Sequence, residues 1–120
     1  MEKPKIKVSS DRGITVVALL DEEILNKTAI DDITKSLFSL VGDKPPVRVL
    51  LSFAAVKRLS SDMLGTLLRL TKRINENHGD LKLCSIIPPL YEMFAITKVN
   101  QIFDIYHDEE TALNSFSCRT

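Results

Sequence analysis

A strongly apolar run that leads into an amphipathic pattern constrains this chain more than any other feature. Residues 47–53 read Val-Arg-Val-Leu-Leu-Ser-Phe, a pattern typical of a strand in the interior of a sheet. Residues 59–65 follow with Leu-Ser-Ser-Asp-Met-Leu-Gly, where a helical pattern begins. A buried strand followed by an amphipathic helix is the repeating unit of α/β folds, so the sequence predicts a mainly parallel sheet.

The same alternation of strand and helix patterns runs along the rest of the chain. The predicted strands cover residues 5–10, 14–20, 47–53, 81–87 and 103–107, and the predicted helices begin near residues 28, 61, 88 and 108. The resulting order is β-β-α-β-α-β-α-β-α, in which the turn signal Asp11-Arg-Gly13 is expected to join the first two strands as a hairpin. We therefore predict an α/β fold with a central sheet of about five strands and about four helices. No repeat or linker divides residues 1–120, so we expect a single domain.

Local signals define the ends of the first two long helices. Thr28 and Asp31 have the spacing of a capping box, and Gly42 followed by two prolines predicts the end of the first helix. The second helix is predicted over residues 61–77. Its buried stripe is predicted from apolar residues at helical spacing, namely Met63, Leu64, Leu67, Leu68 and Ile74.

Composition excludes several classes of protein. The chain has 120 residues, of which 44% are hydrophobic, so it can form one compact core. Sixteen basic residues balance sixteen acidic ones, which gives no global field that would favour nucleic acid. No apolar run approaches the roughly 20 residues that span a bilayer, and the first residues do not resemble a secretory signal. Two cysteines do not make a disulfide framework, so we expect a cytoplasmic protein without membrane insertion.

No arrangement of residues predicts catalysis, a metal or a cofactor. The chain lacks Cys-x-x-Cys, Gly-x-Gly-x-x-Gly and Walker motifs, and no Cys/His or Ser/His/Asp set can be assembled. His107 and the three acids after it are better explained as a solvated helix start than as metal ligands. The strand at residues 47–53 has no Asp at its end, which argues against a receiver-like phosphoacceptor domain. We therefore expect a protein that is not an enzyme.

Two hydroxyls and a carboxylate mark the predicted start of the second helix. A helix start presents unpaired backbone N–H groups and the positive end of the macrodipole. Ser60, Ser61 and Asp62 can therefore act as ordinary caps, or a phosphate added there can be accommodated. The residues alone leave both interpretations open.

The order and spacing of several segments resemble those of the STAS domain, the fold of bacterial anti-sigma factor antagonists. The segments that carry the resemblance are residues 13–17, 47–53, 59–65, 79–83, 94–99, 103–106 and 108–113. They cover nearly the whole chain. The resemblance implies a STAS domain over residues 1–120 that regulates by binding a protein.

The family's helix-opening motif usually reads Asp-Ser-Ser/Ala-Gly-Leu-Gly, and its first Ser is the phosphoacceptor. Matching Leu64-Gly65 to the end of this motif puts Ser61 on that acceptor. Ser60 then replaces the motif's Asp, Asp62 its second Ser, and Met63 its first Gly. The resemblance implies that these four residues, Ser60 to Met63, form a partner-binding surface. Met63 would then either obstruct a close approach of the partner or add an apolar anchor.

In this family the partner is an anti-sigma factor that is also a serine kinase, with an ATPase domain of the histidine-kinase-like type. The unphosphorylated antagonist binds this kinase, and phosphorylation breaks the complex. Lys57 and Arg58 would hold the phosphate, meet an acidic partner, or simply be solvated. The resemblance leaves two other roles open: a scaffold or sensor-complex subunit that is not phosphorylated, and a transporter-associated accessory domain that binds a ligand. It does not imply an oligomeric state.

Overall fold

The computed structural model describes residues 6–11, 13–41, 48–76 and 79–117. Its seven strands are β1 (Ile6–Asp11), β2 (Ile14–Leu19), β3 (Glu23–Ile24), β4 (Arg48–Ser52), β5 (Arg58–Leu59), β6 (Asp80–Cys84) and β7 (Asp104–Tyr106). Its four α-helices are α1 (Lys27–Val41), α2 (Ser61–Glu76), α3 (Pro88–Ile96) and α4 (Glu109–Ser117), and one 3₁₀ turn covers Val99–Gln101. The predicted order of long strands and helices is therefore confirmed, with two short strands added.

Five strands form the central sheet in the order β1-β2-β4-β6-β7. β1 pairs antiparallel with β2, while β2, β4, β6 and β7 are parallel neighbours. Gly13 in the turn between β1 and β2 has a φ of +79°, which glycine adopts without steric cost. The predicted hairpin and mainly parallel sheet are both confirmed.

Alternating side chains divide the sheet into two apolar faces. Val17 and Val49 belong to the larger core cluster, whereas Val16 and Leu50 belong to a smaller one. Successive side chains of a strand point to opposite faces, so β2 and β4 are buried on both sides. This explains why both strands are largely apolar in the sequence.

The helices cover the two faces unequally. α1, α2 and α3 contribute Ile33, Leu67 and Phe94 to the larger cluster. α4 contributes Leu113 and Phe116 to the smaller one. Because α2 belongs to the larger layer, its start is fixed by the main hydrophobic core.

Helix caps show one wrong prediction and one correct one. The backbone N–H of Ala29 donates to Oδ1 of Asn26 at 2.8 Å, so Asn26 caps α1 one residue before the helix begins. The capping box predicted from Thr28 is therefore wrong, because Thr28 already lies inside the first turn. At the start of α4, the N–H of Thr111 donates to Oδ1 of Asp108 at 2.7 Å, as the acidic start of that helix led us to expect. The predicted stop signals at residues 42–46 lie outside the described residues.

The predicted strand over residues 81–87 ends early. β6 stops at Cys84 because Ser85 has a φ of +62°, a left-handed conformation that cannot continue a strand. The chain then turns into α3, where Pro88 and Pro89 occupy the first helical positions. This turn places the start of α3 beside the carboxyl ends of β6 and β7.

Candidate functional site

The start of α2 is held by backbone hydrogen bonds to a distant segment. Ser60, which directly precedes the helix, donates its N–H to the carbonyl oxygen of Ile24 at 3.0 Å. The carbonyl oxygen of Ser60 accepts the N–H of Met63 at 3.1 Å, which forms the first turn. Ser61 is the first residue of the helix, and its side chain is exposed.

A small parallel ladder forms this attachment. β3 pairs with β5 so that Glu23 lies opposite Arg58 and Ile24 lies opposite Leu59. The carbonyl oxygen of Glu22 accepts the N–H groups of Lys57 and Arg58, at 2.7 and 3.0 Å. The connection after β2 and the connection before α2 are therefore one structural unit.

Apolar side chains anchor that unit to the core. Ile24, Val56 and Met63 are fully buried, and Leu59 and Leu64 are nearly so. All five belong to the larger core cluster. The position of the helix start is thus fixed by hydrophobic packing as well as by hydrogen bonds.

The two adjacent serines differ sharply in accessibility. Ser61 and Asp62 are exposed, so both present their side chains to solvent at the helix start. Ser60 is half-buried, and its Oγ is inaccessible and has no hydrogen-bond partner within the described part of the chain. Ser60 therefore occupies the capping position of α2 without making the side-chain bond that defines a cap.

The interpretation of Met63 as an apolar anchor for a partner is corrected by the structure. Its side chain is fully buried and packs in the core with Leu67 and Ile74, as the helical spacing predicts. A side chain that points into the core neither contacts a partner nor obstructs its approach to the backbone. Of the four expected contact residues, Ser61 and Asp62 are therefore the two with exposed side chains.

The basic residues before the helix are already paired. Nζ of Lys57 lies 3.8 Å from a carboxylate oxygen of Glu22, and a guanidinium nitrogen of Arg58 lies 3.5 Å from one of Glu23. All four side chains are more than half exposed, so each pair contributes little to stability. The pairs nevertheless show that the ladder has mixed charge on its outer side.

Sequence reasoning missed the residues that hold this site, Glu22 to Ile24. It treated them as part of an acidic connector because a two-residue strand has no period that could reveal it. The available signal was the short charged-apolar pair Glu23-Ile24, which resembles the pair Arg58-Leu59 that it faces in the ladder.

Other kinds of site receive no support from the described residues. Within residues 6–11, 13–41, 48–76 and 79–117, no group of three or more His, Cys, Asp or Glu residues is placed to hold a metal ion. In the same ranges, no helix combines the length and apolar character required to cross a membrane.

The fold and its helix-start geometry agree with the similarity of this chain to known proteins. A curated relative, the anti-sigma F factor antagonist of Paenibacillus polymyxa, is 25% identical over 109 residues, which cover 91% of this chain and 92% of the relative. A solved STAS-domain anti-sigma-factor antagonist from Planctomyces limnophilus superposes with a TM-score of 0.83 at 23% identity, over 93% of this chain and 97% of that one.

A third similar structure is that of the Bacillus cell fate determinant SpoIIAA in its phosphorylated form. Its TM-score is 0.68 at 17% identity, over 92% of this chain and 98% of that one, which shows a shared fold. The STAS domain family itself matches residues 5–112 of this sequence. This match covers most of the 120 residues, so the chain belongs to the STAS domain family.

Proposed function

We propose that this protein is an anti-sigma factor antagonist whose docking surface is switched by phosphorylation of Ser61. The observation that carries the proposal is the exposure of Ser61 at the first position of α2. The proposed partner is an anti-sigma factor that is also a serine kinase with a histidine-kinase-like ATPase domain. Residues 1–120 act in this proposal as one STAS domain, a binding module and kinase substrate in the cytoplasm, where ATP and sigma factors are found.

Accessibility supports Ser61 over Ser60 as the acceptor. A kinase must bring the γ-phosphate of ATP into contact with the attacking oxygen, and Oγ of Ser60 is buried while the Ser61 side chain is exposed. In the proposed step, Oγ of Ser61 forms a bond to the γ-phosphorus and the bond from that phosphorus to the leaving oxygen of ADP breaks. The hydroxyl proton passes to a base that the kinase supplies.

The surroundings of Ser61 support a switch that leaves the fold intact. A phosphate at the start of a 16-residue helix meets the positive end of the macrodipole, so its charge is stabilised there. The ladder of β3 and β5 and the buried Met63 hold the helix start independently of the Ser61 side chain. The added charge of about −1.5 to −2 therefore acts on the partner rather than on the fold.

Loss of binding then follows from electrostatics at the interface. A partner surface that fits the neutral Ser61 would face a doubly charged group beside Asp62, which is already exposed. Removing this charge from water without a matching cation is costly, and any acidic group nearby repels it.

A phosphorylation assay tests the acceptor. The wild-type protein is incubated with a candidate anti-sigma factor kinase and ATP, and the modified site is mapped by mass spectrometry. We expect one phosphate on Ser61, which disappears in Ser61→Ala and persists in the matched variant Ser60→Ala. Modification of Ser60 would overturn the assignment, and no modification by any cognate kinase would favour a scaffold role.

A binding assay tests the switch itself. Calorimetry compares the wild type with Ser61→Asp and with the neutral control Ser61→Asn, which adds similar volume without charge. We expect Ser61→Asp to weaken binding by at least about tenfold, equivalent to about 1.4 kcal/mol, while Ser61→Asn has a smaller effect. Equal affinities of the Asp and Asn variants would refute a switch that acts through charge.

A further inference from the structure

A cleft of about 430 Å³ lies where β6 and β7 end and α3 begins. Ile86, Pro88 and Ile105 give it an apolar lining, and Tyr91 and Tyr106 add two aromatic rings. This volume is in the range of small-molecule sites, and the carboxyl ends of parallel strands are a frequent location for them. The cleft is separate in sequence from the helix start that contains Ser61.

Glu92 is the acidic residue in the described lining of the cleft, and its carboxylate points to a positively charged ligand. Glu92 and His107 complete the lining, and Glu92 is exposed, so its carboxylate can reach a bound molecule.

A buried lysine that contacts the cleft lining is already paired with other groups. Lys82 is buried on β6, and its Nζ lies 3.5 Å from a carboxylate oxygen of Asp104 and 3.2 Å from the hydroxyl oxygen of Tyr106. Only 10% of the Lys82 side chain is accessible, compared with 66% for Asp104. Nζ of Lys82 also lies 5.1 Å from the centroid of the Tyr106 ring, so its ammonium group packs against Tyr106 and has little access to solvent.

The start of α3 offers no donors to an anion. A helix start beside a cleft usually attracts anions through its free N–H groups. Here Pro88 and Pro89 have no N–H, and the N–H groups of Leu90 and Tyr91 both donate to the carbonyl oxygen of Ile87, at 3.0 and 2.9 Å. An anionic ligand would thus meet Glu92 without compensating hydrogen bonds from the backbone.

We propose that this cleft binds a small organic cation that carries an ammonium group on a flat apolar body. The carboxylate of Glu92 pairs with the ammonium group, and the apolar body packs on Ile86 and Ile105 beside the rings of Tyr91 and Tyr106. An aromatic ring such as that of Tyr91 also attracts cations through its π face, whereas the Tyr106 ring already has Nζ of Lys82 5.1 Å from its centroid. This proposal does not depend on the phosphorylation of Ser61.

Three probes of nearly equal shape test the preference for charge. Phenethylamine, 3-phenylpropionate and 2-phenylethanol are titrated into the ¹⁵N-labelled protein, and the backbone amide shifts are followed by NMR. We expect phenethylamine to shift the amides of residues 86, 91, 92 and 105–107, with a dissociation constant on the order of 1 mM or lower, as suits so small a ligand. We expect the carboxylate probe to bind at least about fivefold more weakly. Equal binding of the cation and the anion, or amide shifts confined to another region, would overturn the proposal.

A charge-neutral variant tests the role of Glu92. Glu92→Gln keeps the size of the side chain and should weaken phenethylamine binding about fivefold to tenfold, while binding of 2-phenylethanol stays the same. The matched control is Glu76→Gln, which removes an exposed carboxylate from α2 and should leave all three affinities unchanged. Unchanged phenethylamine affinity in Glu92→Gln would refute the assignment. Ser61→Ala should bind phenethylamine like the wild type, so this test and the phosphorylation test can fail independently.

Discussion

Replacing Ser60 by alanine should stabilise this protein, although the same change at a helix-capping position usually destabilises. Ser60 stands directly before α2, where a serine hydroxyl normally accepts an N–H from the first turn. In this structure the Met63 N–H donates to the Ser60 carbonyl oxygen instead, and the buried Oγ has no partner among the described residues. The variant therefore removes a desolvated hydroxyl and loses no hydrogen bond.

The magnitude follows from the cost of an unsatisfied polar group. Leaving a buried hydroxyl without a partner costs about 1–3 kcal/mol, and Ser60 is only half-buried as a residue, so we take the lower end of that range. We expect Ser60→Ala to raise the free energy of unfolding by about 1 kcal/mol, or the melting temperature by roughly 3–5 °C. A functional cap would give the opposite sign, a loss of about 0.5–2 kcal/mol.

Urea unfolding followed by circular dichroism measures this difference. Ser61→Ala is the matched control, because it makes the same chemical change one residue later at an exposed position, and it should stay within about 0.5 kcal/mol of the wild type. A loss of about 1 kcal/mol in Ser60→Ala would show that Oγ caps the helix in solution, and the reasoning from the buried oxygen would then be wrong.

Three further predictions concern the packing and capping of the described helices. Met63→Ala should lower the free energy of unfolding in urea by about 2–5 kcal/mol, because it leaves a cavity under α2, whereas Met63→Leu should lower it by less than about 1.5 kcal/mol. Equal small losses in the two variants would contradict the full burial of Met63. Asn26→Ala should lower the free energy of unfolding by about 1 kcal/mol through loss of the α1 cap, and Thr28→Ala should lower it clearly less. The reverse order would show that Thr28, and not Asn26, caps the helix. The backbone N–H of Thr111 holds the pKa of Asp108 below its ordinary value of 3.8. The ionised carboxylate therefore stabilises the fold at pH values above 3.8. This stabilisation is lost as the pH falls through the lower pKa of the folded state. Asp108→Asn keeps an oxygen acceptor but cannot titrate, so its stability relative to the wild type should improve between about pH 6 and pH 2, and a constant difference over that range would refute the linkage.

The sequence predicted the main sheet well because burial on both faces leaves a clear signal. β2 and β4 contribute apolar residues to both core clusters, so both strands are strongly apolar and easily recognised in the sequence. The ladder of β3 and β5 could not be predicted in the same way. Its two-residue strands are defined by pairing between distant segments, and such pairing has no local pattern.

Met63 shows that two kinds of sequence reasoning can disagree at one residue. Its spacing from Leu67 and Ile74 predicted burial, and that prediction is confirmed. Its place in the family motif suggested an exposed role, which the structure contradicts. At a helix start the periodic pattern was the better guide, because packing against the core fixes the direction of each side chain there.

The two hydroxyls at the start of α2 could not be distinguished by residue type. Both residues are serines, and either one fits the preferences of a helix start. The attachment of the Ser60 N–H to Ile24 turns its side chain inward and leaves Ser61 outside. That difference depends on a contact between two segments that are far apart in the sequence, which local reasoning does not reach.

Under the proposed switch, the β3–β5 ladder also determines which surface a kinase would have to recognise around Ser61. A short synthetic peptide spanning the serine pair lacks Glu22 to Ile24, so it cannot reproduce the geometry in which one hydroxyl is hidden and the other displayed. A kinase that reads this surface would thereby discriminate a folded substrate from a nascent or denatured chain. The selection would follow from the fold itself, because the surface around Ser61 forms only when β3 pairs with β5.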